Sequence, residues 1–262
     1  MRKLLFLLAL LFSLLLIGCQ KEITQDTSAP KLSSVLMKSD DSSARVNLNY
    51  DNQNRLTGYS FMIGQRIYKI SNLLYDNQGR LISYSDTTSD GSRATYSFSY
   101  DQNGRIVQKL ATYYSNYSGS ALPFKKTYAY DVQGRLIADT VFSFWSNEIG
   151  EYKSYKYDQN DNIIEKTVFN NLTGSLRPEY TVKMTYDSKV NPFHSIGMIW
   201  HYLTSDFFVD AFNVSKNNVV TEDYQNGSIV SYTYQYNSSN LPTKYVSIEN
   251  IDPIEIIREF SY

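Results

Sequence analysis

Apolar and polar side chains alternate strictly along much of this chain. Tyr96, Phe98 and Tyr100 are interleaved with Ser97 and Ser99. The same spacing recurs at Tyr180, Val182, Met184 and Tyr186, and again at Tyr232, Tyr234 and Tyr236. A period of two places each set on one face of a half-buried β-strand. The strands are punctuated regularly. Tyr-Asp pairs stand at Tyr50-Asp51, Tyr75-Asp76, Tyr100-Asp101, Tyr130-Asp131, Tyr157-Asp158 and Tyr186-Asp187, with a variant at Tyr236-Asn237. The first three are 25 residues apart and the later ones are more widely spaced.

Each pair opens a turn. Four residues after the tyrosine stand Asn54, Gly79, Gly104, Gly134, Asp161 and Asn240, residue types that tolerate the left-handed backbone conformation. The aspartate can accept backbone N–H groups two residues on. Arg55, Arg80, Arg105 and Arg135 follow, and then Leu56, Leu81, Ile106 and Leu136 begin a second apolar alternation. The pattern predicts strand, tight turn, strand. One hairpin cannot bury its own apolar face, so the repeats must stack. The expected fold is all-β, an antiparallel meander of these hairpins curled into an open or closed barrel over residues 43–262. From about 191 to 225 the rhythm breaks. Val190 stands where the sixth turn needs its left-handed residue, and a mixed apolar run from Ile196 to Phe212 follows. A short helix, a plug, or a loop packed on the sheet each fits it.

The N-terminus differs in kind. Arg2 and Lys3 precede an apolar run from Leu4 to Ile17, too short for a comfortable membrane span. Leu16-Ile17-Gly18-Cys19 resembles the bacterial lipobox, which implies cleavage after residue 18 and lipid on Cys19. Acyl chains contribute about 0.8 kcal/mol per buried methylene, so such a modification makes the membrane a partner of the mature chain. Residues 19–42 are polar and low in aromatics, as expected of a flexible tether. Cys19 is the sole cysteine, which excludes disulfides within the chain.

The repeats carry a resemblance. Tyr75 to Leu81, Tyr100 to Ile106 and Tyr130 to Leu136 resemble the YD repeat of RHS proteins, teneurins and toxin shells, which builds spiral β-sheets. The C-terminal half, through Tyr186-Asp187-Ser188-Lys189, Asn191-Pro192-Phe193 and Leu241-Pro242-Thr243-Lys244, is similar to a domain-of-unknown-function family of YD-repeat lipoproteins of Bacteroidota, described as having a porin-like β fold. The resemblance implies fold and address, and no activity.

Composition narrows the function classes. Arg2 and Lys3 lie in the leader, leaving 23 basic side chains against 26 acidic ones, which does not suit a nucleic-acid partner. The chain holds 24 Tyr, 13 Phe and 2 Trp. Trp145, Trp200 and Tyr202 are the candidate ligand-binding aromatics, because flat rings suit the apolar faces of sugars; core packing is the competing assignment. Asp158 to Asn162 echoes a calcium loop, but Ile163 and Phe169 occupy its glycine and glutamate positions. His194 and His201 have no metal-ligand spacing, so no metal or cofactor is expected. The leading expectation is a non-enzymatic cell-envelope lipoprotein, in the outer membrane rather than the inner, that binds a polysaccharide or an envelope protein. A purely structural role is the second reading, and a glycan-active enzyme the third.

Overall fold

The computed structural model describes residues 31–39, 42–63, 65–114, 121–143, 148–171, 174–196, 198–204 and 214–262. The expected leader and Cys19 lie outside them. Sixteen strands run through the described residues. They are β1 (Ser34–Ser39), β2 (Ser42–Tyr50), β3 (Leu56–Ile63), β4 (Arg66–Tyr75), β5 (Leu81–Thr88), β6 (Arg93–Tyr100), β7 (Ile106–Tyr114) and β8 (Ala121–Tyr130). Then follow β9 (Leu136–Phe142), β10 (Ile149–Tyr157), β11 (Ile163–Asn170), β12 (Arg177–Val190), β13 (Asn217–Asp223), β14 (Ile229–Tyr236), β15 (Pro242–Glu249) and β16 (Glu255–Ser261). Each pairs antiparallel with its chain neighbours, and β1 pairs with β16, so the meander closes into a barrel. The sheet therefore has no free edge. The helix α1 (Met198–Thr204), preceded by a 3-10 turn at His194–Ile196, lies between β12 and β13.

The hairpin turns show why the Tyr-Asp motif recurs. In the first, the Asp51 N–H donates to the Arg55 carbonyl, and the Asn54 N–H donates to the Asp51 carbonyl. Asp51 Oδ1 accepts from the N–H groups of Gln53 and Arg55, and Oδ2 from Arg55 Nε at 2.8 Å. Asn54 sits at φ 62°, and Gly79, Gly104 and Gly134 take its place at φ 77°, 74° and 83°. A one-residue bulge beside each tyrosine sets Tyr50 opposite Leu56, Tyr75 opposite Leu81 and Tyr100 opposite Ile106. Asp76, Asp101 and Asp131 repeat the Asp51 bonds with Arg80, Arg105 and Arg135.

A second set of contacts links one hairpin to the next. The hydroxyls of Tyr75, Tyr130 and Tyr157 donate to the carbonyls of Leu56, Ile106 and Leu136, at 2.6, 2.7 and 2.7 Å. Tyr100 and Tyr186 do the same to Leu81 and Ile163. Each arginine lies over the tyrosine of the following hairpin: Arg55 on Tyr75, Arg80 on Tyr100, Arg105 on Tyr130, Arg135 on Tyr157, all between 4.7 and 4.9 Å from the ring centre.

The first and last described residues complete this circuit with half repeats. Tyr50 donates to the Leu32 carbonyl at 2.8 Å, and Lys31 lies 5.9 Å over the Tyr50 ring, so Lys31-Leu32 stands where Arg-Leu stands elsewhere. At the other end Tyr262 donates to the Pro242 carbonyl at 2.9 Å. The stretch 31–39, assigned above to the tether for its polarity, thus contains the closing strand β1. Its polar outward residues obscured the inward pair Val35 and Met37, while ladders on both sides supply the hydrogen bonds.

The two faces of the barrel have opposite chemistry. On β6, Ala94, Tyr96, Phe98 and Tyr100 face inward, and Arg93, Thr95, Ser97 and Ser99 outward. On β14, Tyr232, Tyr234 and Tyr236 face inward, and Ser231, Thr233 and Gln235 outward. Membrane barrels show the reverse, with an apolar outer band about 25 Å tall and a polar interior. Half-exposed apolar residues stand among polar ones on the outside: Leu110 lies opposite Ser97 and Lys125, and Ile248 opposite Ser231 and Glu255, while Ile67 faces the exposed Met62. Barrels of about 16 strands leave a channel if nothing fills them. Here tyrosine and phenylalanine rings occupy much of the interior together with α1, which accounts for the aromatic content.

Candidate functional site

All the Tyr-Asp turns, the variant at Asn237, and both Lys31 and Tyr262 lie at one end of the barrel, where residues 191–196 and 198–204 also enter. The α1 helix reaches into the interior from there. Tyr202 is 1% exposed and shares a hydroxyl–hydroxyl bond with Tyr130. Lys109 Nζ donates to the Tyr202 carbonyl at 2.9 Å, placing a cation at the C-terminal turn of the helix. Tyr59 donates to the next carbonyl, Leu203, at 3.3 Å. The plug's exit is tied down by Ser215, which bonds Tyr186 and the Ile163 N–H. The sixth turn differs accordingly. Asp187 has no following arginine and instead accepts from the Lys189 and Asn218 N–H groups and from the Tyr236 hydroxyl. In the fifth turn Asp158 binds Asn162, and in the seventh Asn237 accepts from the Ser239 and Leu241 N–H groups.

Between the plug and the opposite end, a cavity of about 450 Å³ opens inside the wall formed by β3 to β8. Its floor is Tyr59, Lys109 and Leu203, and its rim is Thr88, Ser92, Arg93 and Tyr114. Aromatic pairs form the sides. Phe61 and Tyr68 stack at 4.8 Å and 4°, Tyr84 and Tyr96 at 4.1 Å and 7°, and Tyr113 meets Phe124 edge-on at 6.1 Å. These rings share a cavity because inward positions on adjacent antiparallel strands come to the same height, as in the facing pair Tyr84 and Tyr96.

Polar groups punctuate this surface. Asp86 accepts from the Tyr96 hydroxyl at 2.6 Å. Burial pushes its carboxyl above the usual range, against the opposing pull of Tyr96, the Ala94 N–H and Lys109. Lys109 lies 4.9 Å over the Tyr96 ring. Arg93 lies 5.0 Å over Tyr114 at the rim. Asp86 is the sole carboxylate among the described lining residues, so the carboxylate pair of a glycoside hydrolase does not form among them.

Two further ionic groups are sealed in the core. Lys126 and Asp139 pair at 3.0 Å, both buried; Asp139 accepts from Tyr155 at 2.6 Å and faces His201 of α1 at 3.9 Å. Glu222 accepts from Tyr232 at 2.9 Å, with Lys166 and Arg258 nearby, and burial raises its carboxyl. Neither group reaches solvent, so neither offers a substrate path.

Of the aromatics singled out from the sequence, Tyr202 has a described side chain, and it does not line the cavity. Trp145 lies outside the described residues, as does the Trp200 side chain. Tyr202 is committed to the plug, with its ring against Tyr128 and Phe98. His194 is exposed on its 3-10 turn and His201 is in the core, and among the described residues no three His, Cys, Asp or Glu side chains converge as a metal site. Sequence reasoning missed Tyr59, Phe61, Tyr68, Tyr84, Asp86 and Lys109. The signal that locates most of them is inward register, three or five residues after the turn residues Leu56, Leu81 and Ile106. Tyr68 is then found opposite Phe61 across the ladder.

Residues 26–140 match the teneurin YD-shell family. The fold is similar to the crystal structure of a porin-like protein from Bacteroides uniformis ATCC 8492, with a TM-score of 0.56 and 13% identity, over 88% of this chain and 97% of that one. A porin-like protein from Bacteroides vulgatus ATCC 8482 aligns over 89% of this chain and 99% of that one, at 9% identity and a TM-score of 0.42. No curated protein matches the chain. Together with the turns, these findings make it a YD-repeat, barrel-like protein.

Proposed function

We propose that this chain is a lipid-anchored, non-enzymatic binding protein of the cell envelope, held on the outer membrane of a Bacteroidota cell through Cys19. Its partner is a polysaccharide or an envelope protein received at the barrel mouth. The observation that carries this reading is the placement of the cavity. It opens at the end of the barrel opposite Lys31, the described residue that the proposed tether would lead into. A barrel tethered by its turn end presents the open mouth away from the bilayer. Its polar outer face suits water rather than lipid, and a concave aromatic surface with a few convergent polar groups is the usual form of a ligand site.

The experiment has two arms. Fractionation of cells producing the wild type and Cys19→Ala tests the anchor: the wild type sediments with membranes and the variant is released. Retention of Cys19→Ala on membranes would defeat the lipoprotein reading. Co-sedimentation of the Cys19→Ala protein with insoluble envelope polysaccharide tests binding.

A second reading, a structural envelope protein without a ligand, is supported by the rings packed in the interior and by the plug. It predicts membrane attachment with no co-sedimentation.

A further inference from the structure

The cavity constrains its ligand more narrowly than the proposed function does, and any assignment of that ligand rests on the binding function. The walls are flat rings, held by stacking and edge contacts, so the cavity accepts a flat-faced group. A flexible chain gains less from such walls, because they offer planes rather than a tube. Between the rings stand groups that read hydroxyls: the Asp86 carboxylate, Thr88, Ser92 and tyrosine O–H groups. An ionised carboxylate offers about four acceptor directions, and Tyr96 and the Ala94 N–H take two of those on Asp86.

Charge argues that the ligand is neutral. Lys109 is committed to the Tyr202 carbonyl and the Tyr96 face, and Arg93 lies on Tyr114. Asp86 is bonded by Tyr96, with Lys109 nearby. An anionic group would approach Asp86, and a cationic one would approach Lys109. A neutral ring with apolar C–H faces and a hydroxyl fringe meets neither penalty. The volume of about 450 Å³ falls within the range of small-molecule sites, about 300–1,000 Å³. The floor is closed by Leu203, so a polymer enters end-on and does not thread through.

We infer that the luminal cavity is a saccharide-terminus site, which takes the neutral pyranose end of a glycan chain between its aromatic walls, with Asp86 accepting the sugar's hydroxyls.

The test is saturation-transfer NMR on the chain from residue 19 onward carrying Cys19→Ser, which keeps every residue of the barrel. The sugar probes are the methyl glycosides of glucose, galactose, mannose and N-acetylglucosamine. Decanoate and 4-nitrophenol stand for a chain and for an aromatic ring. At least one glycoside is expected to receive saturation, strongest at its C–H face. Asp86→Asn should weaken it tenfold or more, and Ser92→Trp, which narrows the rim without altering the core, should abolish it. Tyr234→Phe, on β14 away from the cavity, should leave it unchanged. Saturation of decanoate or 4-nitrophenol without any glycoside overturns the saccharide assignment and leaves the binding function standing. Silence from every probe, or glycoside signals indifferent to both Asp86→Asn and Ser92→Trp, overturns the site itself, whatever the outcome of the membrane fractionation.

Discussion

The Tyr75 hydroxyl donates to the carbonyl of Leu56, 2.6 Å away in the preceding hairpin, while Arg55 of that hairpin covers the Tyr75 ring. This joint, repeated around the barrel, gives the Tyr-Asp-x-x-Gly-Arg-Leu pattern a single physical cause. Aspartate shapes the turn and positions the arginine, the arginine covers the next tyrosine, and that tyrosine ties the strand ends together. Tyr75→Phe removes one bond and leaves a partly buried carbonyl unsatisfied, so a loss of about 0.5–1.5 kcal/mol is expected in urea unfolding. No loss would mean the joint contributes nothing.

The turn glycines are required for backbone reasons alone. A Cβ on Gly104 would meet nothing within 4 Å, yet φ is +74°. Gly104→Val is expected to cost about 1–2 kcal/mol, and Gly104→Asn much less, since Asn54 and Asn240 already hold this conformation. Equal costs in the two variants would contradict the assignment.

The Lys126–Asp139 pair lies wholly inside the barrel. Lys126→Met leaves a buried carboxylate beside Tyr155 and His201 without its cation, so it is expected to destabilise by about 3–5 kcal/mol. Lys126→Met combined with Asp139→Leu should recover most of that loss. Chemical denaturation of the two variants, compared with the wild type, measures the difference.

Stability should depend on pH in two opposed ways. At Asp51, Asp76, Asp101 and Asp131, burial raises the carboxyl, but the backbone and guanidinium bonds of the adjacent arginine outweigh it and hold each below the usual range. Their contribution is complete above the unfolded value of about 3.9 and is lost as pH falls through the folded one. Asp86 and Glu222 are raised by burial, so each costs stability as pH rises from about 4 through its folded value. The thermal midpoint is expected to peak at mildly acidic pH. Glu222→Gln should flatten the upper limb and spare the lower; an unaltered upper limb would count against this cause.

How much of this was legible in the sequence differs by element. The hairpins were, because Asp51, Asn54 and Arg55 act on one another within five residues. Closure was not. Lys31-Leu32 and Tyr262 are half repeats, recognisable only once β1 lies against β16. Between the expected helix, plug and loop, α1 proves to be both helix and plug, held by contacts with Lys109 and Tyr59 far away in sequence. The cavity was least legible. It depends on which rings of β3 to β8 reach the same height, and on how much of the interior α1 leaves unfilled.

The central claim, a barrel whose mouth receives a ligand, is tested most directly by a reporter at that mouth. An environment-sensitive dye on Ser92→Cys, in the Cys19→Ser chain, would be titrated with polysaccharide extracted from the envelope. A saturable change that Asp86→Asn abolishes and Tyr234→Phe preserves is expected. A flat signal, or one that survives Asp86→Asn, would contradict the claim.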